Sequence, residues 1–236
     1  MDISDFNSLA MFPSSKDYRC VDINLNVTSS MIPLVKRAIS NIESTSTVEM
    51  LSFDGKNSFP FSINSTFLNL RALKIYSNWN IDLRMSVFPK LHLVLLHKVV
   101  RLSLVLRPES FHSIYSMKMI KCSINSQFMK RFQSIDQLSL IDVSISGDMQ
   151  DLFFTNVNTL ELCLNAQSIP QIKYGKIPHL VINSDVDFIP SYEGLKTLKI
   201  YITKKKNYTY VVPTSLKEMK IAYATSHVQD GNHHTI

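Results

Sequence analysis

The chain has 236 residues, of which 45% are hydrophobic and 19% are charged, and its formal net charge is +6. This composition supplies enough apolar side chains for a full core, and the mild positive charge permits an acidic partner but falls short of a nucleic-acid-binding signature. No run of about 18 uncharged apolar residues occurs, so we expect no membrane-spanning segment. The N-terminus lacks the basic and apolar blocks of a secretory signal, and the three cysteines are widely spaced, so we expect an intracellular protein with buried, reduced thiols.

The first 47 residues read as a loop followed by a strand–helix unit. Residues 1–17 show no periodicity and are expected to form a loop. Apolar and polar residues alternate from Val21 to Val27, which predicts a strand. Ser30 is then expected to cap a helix, and the apolar stripe of that helix consists of Ile32, Val35, Ile39 and Ile42. We expect this unit, residues 18–47, to seal one end of the array that follows, because terminal repeats must hide the core from water.

A phrase of the form apolar-x-x-apolar-x-apolar recurs about every 21 residues from residue 48 to residue 224. Its copies begin at residues 48, 70, 91, 114, 135, 157, 177, 195 and 216. The last two apolar residues of each copy share one face of a short strand, so stacking about nine copies predicts a parallel sheet with a continuous core. The position of the copy that begins at residue 91 is ambiguous, because Val99-x-x-Leu102-x-Leu104 also fits the phrase. We favour Leu91-x-x-Val94-x-Leu96, because this placement keeps the spacing of about 21 residues on both sides.

One copy extends into a longer consensus, L-x-x-L-x-L-x-x-N/C-x-L. Every position of that consensus is filled by Ile114, Met117, Met119, Cys122 and Ile124. The chain therefore resembles a leucine-rich repeat protein, of an irregular kind because only Asn78 and Asn165 repeat the Asn/Cys position. The resemblance implies an α/β repeat solenoid with a parallel β-sheet on the concave face and a mostly irregular or short helical convex side. It also implies binding of another protein on the concave face.

The strand residues that point away from the core are the candidate binding surface. The central row of these residues is predicted to be Ser52, Lys74, Leu95, Lys118, Ser139, Glu161, Val181, Lys199 and Lys220. Tyrosine and exposed aliphatic residues beside charges are typical of protein-binding patches. The hypothesis is that a partner contacts Lys74, Tyr76, His97, Lys118, Ile120, Ile141, Lys199, Tyr201 and Lys220. The alternative is that the isoleucines only favour strand formation and the lysines are solvated.

The C-terminal end carries the densest basic cluster. Lys204, Lys205 and Lys206 are followed by two tyrosines, which fits either nucleic-acid backbone binding or a solvated turn. The polar tail, residues 225–236, is expected to be disordered. Its histidines have no further ligands at fixed spacing, so no metal site is expected.

No catalytic or cofactor-binding motif occurs in the sequence, so we expect a non-enzymatic chain without a cofactor. The leading hypothesis is a monomeric module, of a eukaryotic kind, that binds another protein of unknown identity. One alternative is the substrate-recognition part of a ubiquitin ligase, with its F-box element absent or degenerate. The other alternative is nucleic-acid binding through the basic C-terminal end.

Overall fold

The computed structural model describes residues 2–4, 18–44, 47–76, 79–99, 114–125, 135–146, 157–163, 177–185, 194–202 and 211–223. Within these residues the chain is a solenoid of stacked coils, and each coil adds a strand to one parallel sheet. The prediction of a repeat solenoid built on parallel strands is confirmed. The curvature of the sheet and the leucine-rich-repeat subclass stay predictions.

The described strands are short, with two to six residues, apart from the longer second and third strands. They are β1 (Asp2–Ile3), β2 (Cys20–Val27), β3 (Met50–Ser62), β4 (Ala72–Tyr76), β5 (Trp79–Asp82), β6 (Leu93–His97), β7 (Ser116–Ile120), β8 (Ser123–Asn125), β9 (Gln137–Ile141), β10 (Ser144–Ser146), β11 (Thr159–Cys163), β12 (His179–Ile182), β13 (Thr197–Ile202) and β14 (Glu218–Tyr223). The main sheet runs β1-β2-β3-β4-β6-β7-β9-β11-β12-β13-β14, and β5 pairs with the extended end of β3. The strands β8 and β10 form a separate parallel pair.

The N-terminal unit contains the predicted strand and helix, with two differences. A 3-10 turn over Ser29–Met31 leads into helix α1, Ile32–Ser44. The residue at the N-cap position of this turn is Thr28, so the prediction that Ser30 caps the helix is wrong. The hydroxyl oxygens of Thr28 and Ser30 lie 3.0 Å apart. In addition, Asp2–Ile3 forms a strand beside β2 although residues 1–17 were expected to be loop, because burial of Ile3 stabilises that pairing.

In the main sheet the inward residues of neighbouring strands lie side by side, and from β4 to β13 they are buried. The ambiguous copy follows the placement that keeps the spacing, because Leu91, Val94 and Leu96 are fully buried and Val94 pairs with Leu73 of β4. The predicted stripe of α1 also contacts the core, with Val35, Ile39 and Ile42 buried and Ile32 partly buried. Burial of these aliphatic rows is the main stabilising contribution that the described residues make.

The chain turns sharply where three consecutive strands end. Lys98, Lys121 and Asp142 follow β6, β7 and β9 and have positive φ angles of 57°, 52° and 50°. In the second turn the Lys121 N–H donates to the Ile141 carbonyl at 2.8 Å, and equivalent bonds hold the other two turns. The next residue, Cys122, is buried, and its thiol donates to the Leu96 carbonyl at 3.4 Å. Burial raises the pKa of the Cys122 thiol, which therefore acts as a neutral donor inside the turn.

We expect Lys121→Val to lower the free energy of unfolding by about 1–2 kcal/mol, because a β-branched residue is disfavoured in the left-handed region. The matched control is Lys118→Val in β7, where the backbone is extended and valine is favoured, so the change should stay within about 0.5 kcal/mol. Urea denaturation of the two variants measures the difference. Equal losses of unfolding free energy in the two variants would contradict a left-handed turn at Lys121.

The two described return segments, residues 63–71 and 83–92, stack on each other without forming a helix. Thr66 forms a parallel bridge with Val87. The rings of Phe67 and Phe88 stack with centroids 5.3 Å apart and an interplanar angle of 3°. The buried Ser86 hydroxyl donates to the Ile63 carbonyl at 2.8 Å. These two segments are irregular in structure. Residues 100–113, 126–134, 147–156, 164–176, 186–193 and 203–210, which belong to the later return segments, lie outside the described residues.

Candidate functional site

The candidate site is the outer sheet face, defined as the strand residues that point away from the core in three rows. The central row continues from Asp22 of β2 through Ser52 and Lys74 to Lys220 of β14, and each residue pairs with the one predicted to lie beside it. The flanking rows lie two residues before and two residues after it. The observed strand pairing therefore sets these residues side by side in the row that the repeat spacing predicts.

The N-terminal part of the outer sheet face combines carboxylates with aromatic rings. The Tyr76 and His97 rings meet edge to face with centroids 6.0 Å apart. Burial raises the pKa of the Tyr76 phenol, and the negative charges of Asp54 and Asp22 raise it further. Burial and the nearby lysines lower the pKa of His97, so its imidazole is neutral at neutral pH. This part of the face thus offers neutral hydrogen-bonding rings beside acidic groups.

The middle of the outer sheet face is apolar. Leu95, Ile120 and Ile141 lie on β6, β7 and β9, and each is only partly buried. Leu93, two residues before Leu95, is exposed. Strand pairing places Ile120 directly beside Ile141. Leu95 pairs instead with Lys118, and Ile120 pairs with His97 on its other side, so the apolar strip that these four residues form is interrupted by polar side chains. Lys118 borders the strip in the central row and is partly buried as well.

A fixed carboxylate lies immediately beyond the apolar strip. The Ser139 hydroxyl donates to Glu161 Oε2 at 2.6 Å, and the Asn183 amide donates to Glu161 Oε1 at 2.7 Å. Hydrogen bonds from both neighbouring strands hold the charged group in one orientation, so it can accept a bond from a partner without first becoming ordered. Sequence reasoning placed Glu161 in the central row but missed this role. The signal was available, because the repeat spacing already set Ser139 beside Glu161.

The C-terminal part of the outer sheet face is basic. Lys199 of β13 pairs with Lys220 of β14, and both are exposed. At the edge of the sheet the Lys217 N–H donates to the Lys196 carbonyl at 2.8 Å, so a second pair of lysines lies beside the first. Glu218 is the one acidic residue of β14. This part of the face therefore attracts anionic groups.

The structure does not gather all predicted site residues into one cluster. Tyr76 and Tyr201 belong to strands six steps apart in the sheet, which corresponds to about 29 Å. The predicted residues instead fall in three parts of the face, namely Lys74, Tyr76 and His97 on β4 and β6, Lys118, Ile120 and Ile141 on β7 and β9, and Lys199, Tyr201 and Lys220 on β13 and β14. Lys204, Lys205 and Lys206, with the tail histidines, lie outside the described residues.

Within the described ranges, no group of three or more histidine, cysteine, aspartate or glutamate residues is arranged to hold a metal ion. In the same ranges no helix has the length and hydrophobicity needed to cross a bilayer. No protein-family model matches the chain, and neither a curated protein nor a solved structure matches it. The interpretation of the outer sheet face therefore depends on its own geometry.

Proposed function

We propose that the chain is a non-enzymatic recognition module of the leucine-rich-repeat kind, and that it binds another protein through the outer sheet face. The observation that carries the proposal is the apolar strip of Leu93, Leu95, Ile120 and Ile141, in which the two isoleucines continue the row of Tyr76 and His97 and the two leucines lie beside Ser116 and Lys118. Protein interfaces combine an apolar centre with a polar rim, and aromatic side chains contribute much of the binding energy. Tyr76 lies beside this strip on β4.

The leucine-rich-repeat subclass is supported by the turns that follow β6, β7 and β9. In each turn a left-handed residue precedes a buried one, and in the middle turn the buried residue is Cys122 at the Asn/Cys position of the consensus. Within such an array the strands carry the variable outward residues while the inward rows supply stability. Recognition and folding can therefore be separated by mutation at neighbouring positions of one strand.

The fixed Glu161 carboxylate supports recognition of a protein over a purely structural role for this face. Its two hydrogen bonds, from Ser139 and Asn183, hold a charge on a partly buried surface between the apolar strip and the basic part. A preorganised acceptor of this kind adds specificity, because a partner lacking a donor there would leave the carboxylate desolvated and unpaired.

Combining Tyr76→Ala, Ile120→Ser and Ile141→Ser is expected to reduce recovery of bound proteins about tenfold or more in affinity purification, because these changes remove the aromatic and apolar centre. The matched control combines Leu68→Ser and Met85→Ser, which alter exposed apolar residues in the return segments and should leave recovery unchanged. Quantitative mass spectrometry of the bound fraction measures both, and urea denaturation checks that the variants fold. The same proteins recovered in the same amounts by both variants would rule out the outer sheet face as the binding surface.

A further inference from the structure

Among the described residues, the inner side of β14 is more exposed than that of the preceding strands. Ile221 is 47% exposed, although Ile200, its neighbour in the same inward row of β13, is fully buried. The next inward residue, Tyr223, is 59% exposed, whereas its neighbour Ile202 is buried. An exposed row of large apolar side chains at the end of a packed sheet is the usual mark of a contact surface.

The backbone of β14 is suited to receive a further strand. Among the described strands, β14 pairs with β13 alone, and that pairing is parallel over its whole length. A strand added in the same register would set three of its residues against Met219, Ile221 and Tyr223 and would continue the core. Main-chain hydrogen bonds would supply affinity, and the alternate side chains would supply specificity.

The charges of β13 and β14 define what the added strand must carry. Lys220 lies directly beside Lys199 on the outer side of the sheet, and side-by-side like charges are destabilising. No ion pair within the described ranges involves either lysine. A carboxylate placed next to Lys220 would offset the repulsion between the two ammonium groups. An aspartate or glutamate in the added strand is therefore favoured, and a lysine there is disfavoured.

We propose that β14 accepts a parallel strand from another protein, with the pattern apolar-acidic-apolar-x-apolar facing Met219 to Tyr223. This site goes beyond the proposed function, because it uses the edge and inner side of β14 and shares only Lys220 with the outer sheet face. The partner is a protein segment and not a nucleic acid, because the exposed inner row requires aliphatic or aromatic side chains in alternation with the charge.

The test uses the full chain and a labelled synthetic peptide that contains Val-Glu-Ile-Ser-Val between soluble flanks. Fluorescence anisotropy should show saturable binding about tenfold tighter than that of the matched peptide Val-Lys-Ile-Ser-Val, because the lysine faces Lys220. Lys220→Glu should reverse the preference between the two peptides. Ile221→Asp should abolish binding of both, because it removes the apolar contact, whereas Leu68→Asp on a return segment should change neither.

Three results would overturn the proposal. The first is equal affinity for the two peptides or no saturable binding of either. The second is binding only after removal of residues 225–236, which would mean that the chain covers this edge itself. The third is concentration-dependent self-association, seen by sedimentation and lost in Ile221→Asp, which would assign the edge to a second copy. Peptide binding that survives in the Tyr76→Ala, Ile120→Ser, Ile141→Ser variant separates this site from the outer sheet face.

Discussion

Replacing Leu96 with alanine should lower the free energy of unfolding by about 2–5 kcal/mol, whereas replacing its neighbour Leu95 should lower it by less than about 1 kcal/mol. Leu96 is fully buried and lies between Ile75 and Met119 in the inward row, so alanine there leaves a cavity. Leu95 points to the outer sheet face and is partly buried. Replacing each of these adjacent leucines with alanine thus distinguishes the inward face of β6 from the outer sheet face.

Urea denaturation of both variants measures this difference, provided that the slope of the transition stays the same, since a changed slope indicates a different denatured state. The comparison also checks the register at the one copy of the phrase that the sequence left ambiguous. A larger cost for Leu95→Ala would mean that the faces of β6 are exchanged. The assignment of Leu95, Ile120 and Ile141 to a partner-binding surface would then be lost.

The strands were predictable because two short-range rules act together. Alternation assigns each strand residue to a face, and the repeat spacing sets each strand beside the next. These rules correctly placed the central row from Ser52 to Lys220, which the observed pairing follows strand by strand. The prediction of buried thiols holds for Cys122 but is wrong for Cys20, which is exposed at the start of β2. No long-range information was needed, because each coil contacts mainly its neighbours.

The parts that were not predicted depend on contacts between coils outside the strands. The extension of β3 to Ser62 pairs with β5, and the sequence signal there is weak, because only Phe59 and Phe61 alternate and Pro60 lies between them. The buried Ser86 is polar, and only its hydrogen bonds to the neighbouring return segment make that position favourable. The fixed orientation of Glu161 arises in the same way, from side chains on both adjacent strands. Local sequence patterns carry little information about such pairings.

The return segments also contribute to stability, and Phe88→Ala tests this. Phe88 is buried and stacks on Phe67 from the neighbouring coil, so we expect its replacement to lower the free energy of unfolding by about 3–5 kcal/mol. The matched control is Met85→Ala in the same return segment, where the side chain is exposed and the cost should stay within about 0.5 kcal/mol. Urea denaturation again gives both values.

A double-mutant cycle shows whether the two rings act on each other or only fill space. Combining Phe67→Ala with Phe88→Ala should lower the free energy of unfolding by less than the sum of the two single changes, because each single variant already removes the stacked pair. We expect this difference, the coupling energy of the two rings, to be about 0.5–1.5 kcal/mol. Strict additivity would contradict direct stacking, and the return segments would then pack independently of each other. A coupling energy of the expected size would mean that neighbouring coils contact each other through the return segments as well as through the sheet. Contacts on both sides of the core would keep the outer sheet face rigid, so that it presents a fixed surface to a partner.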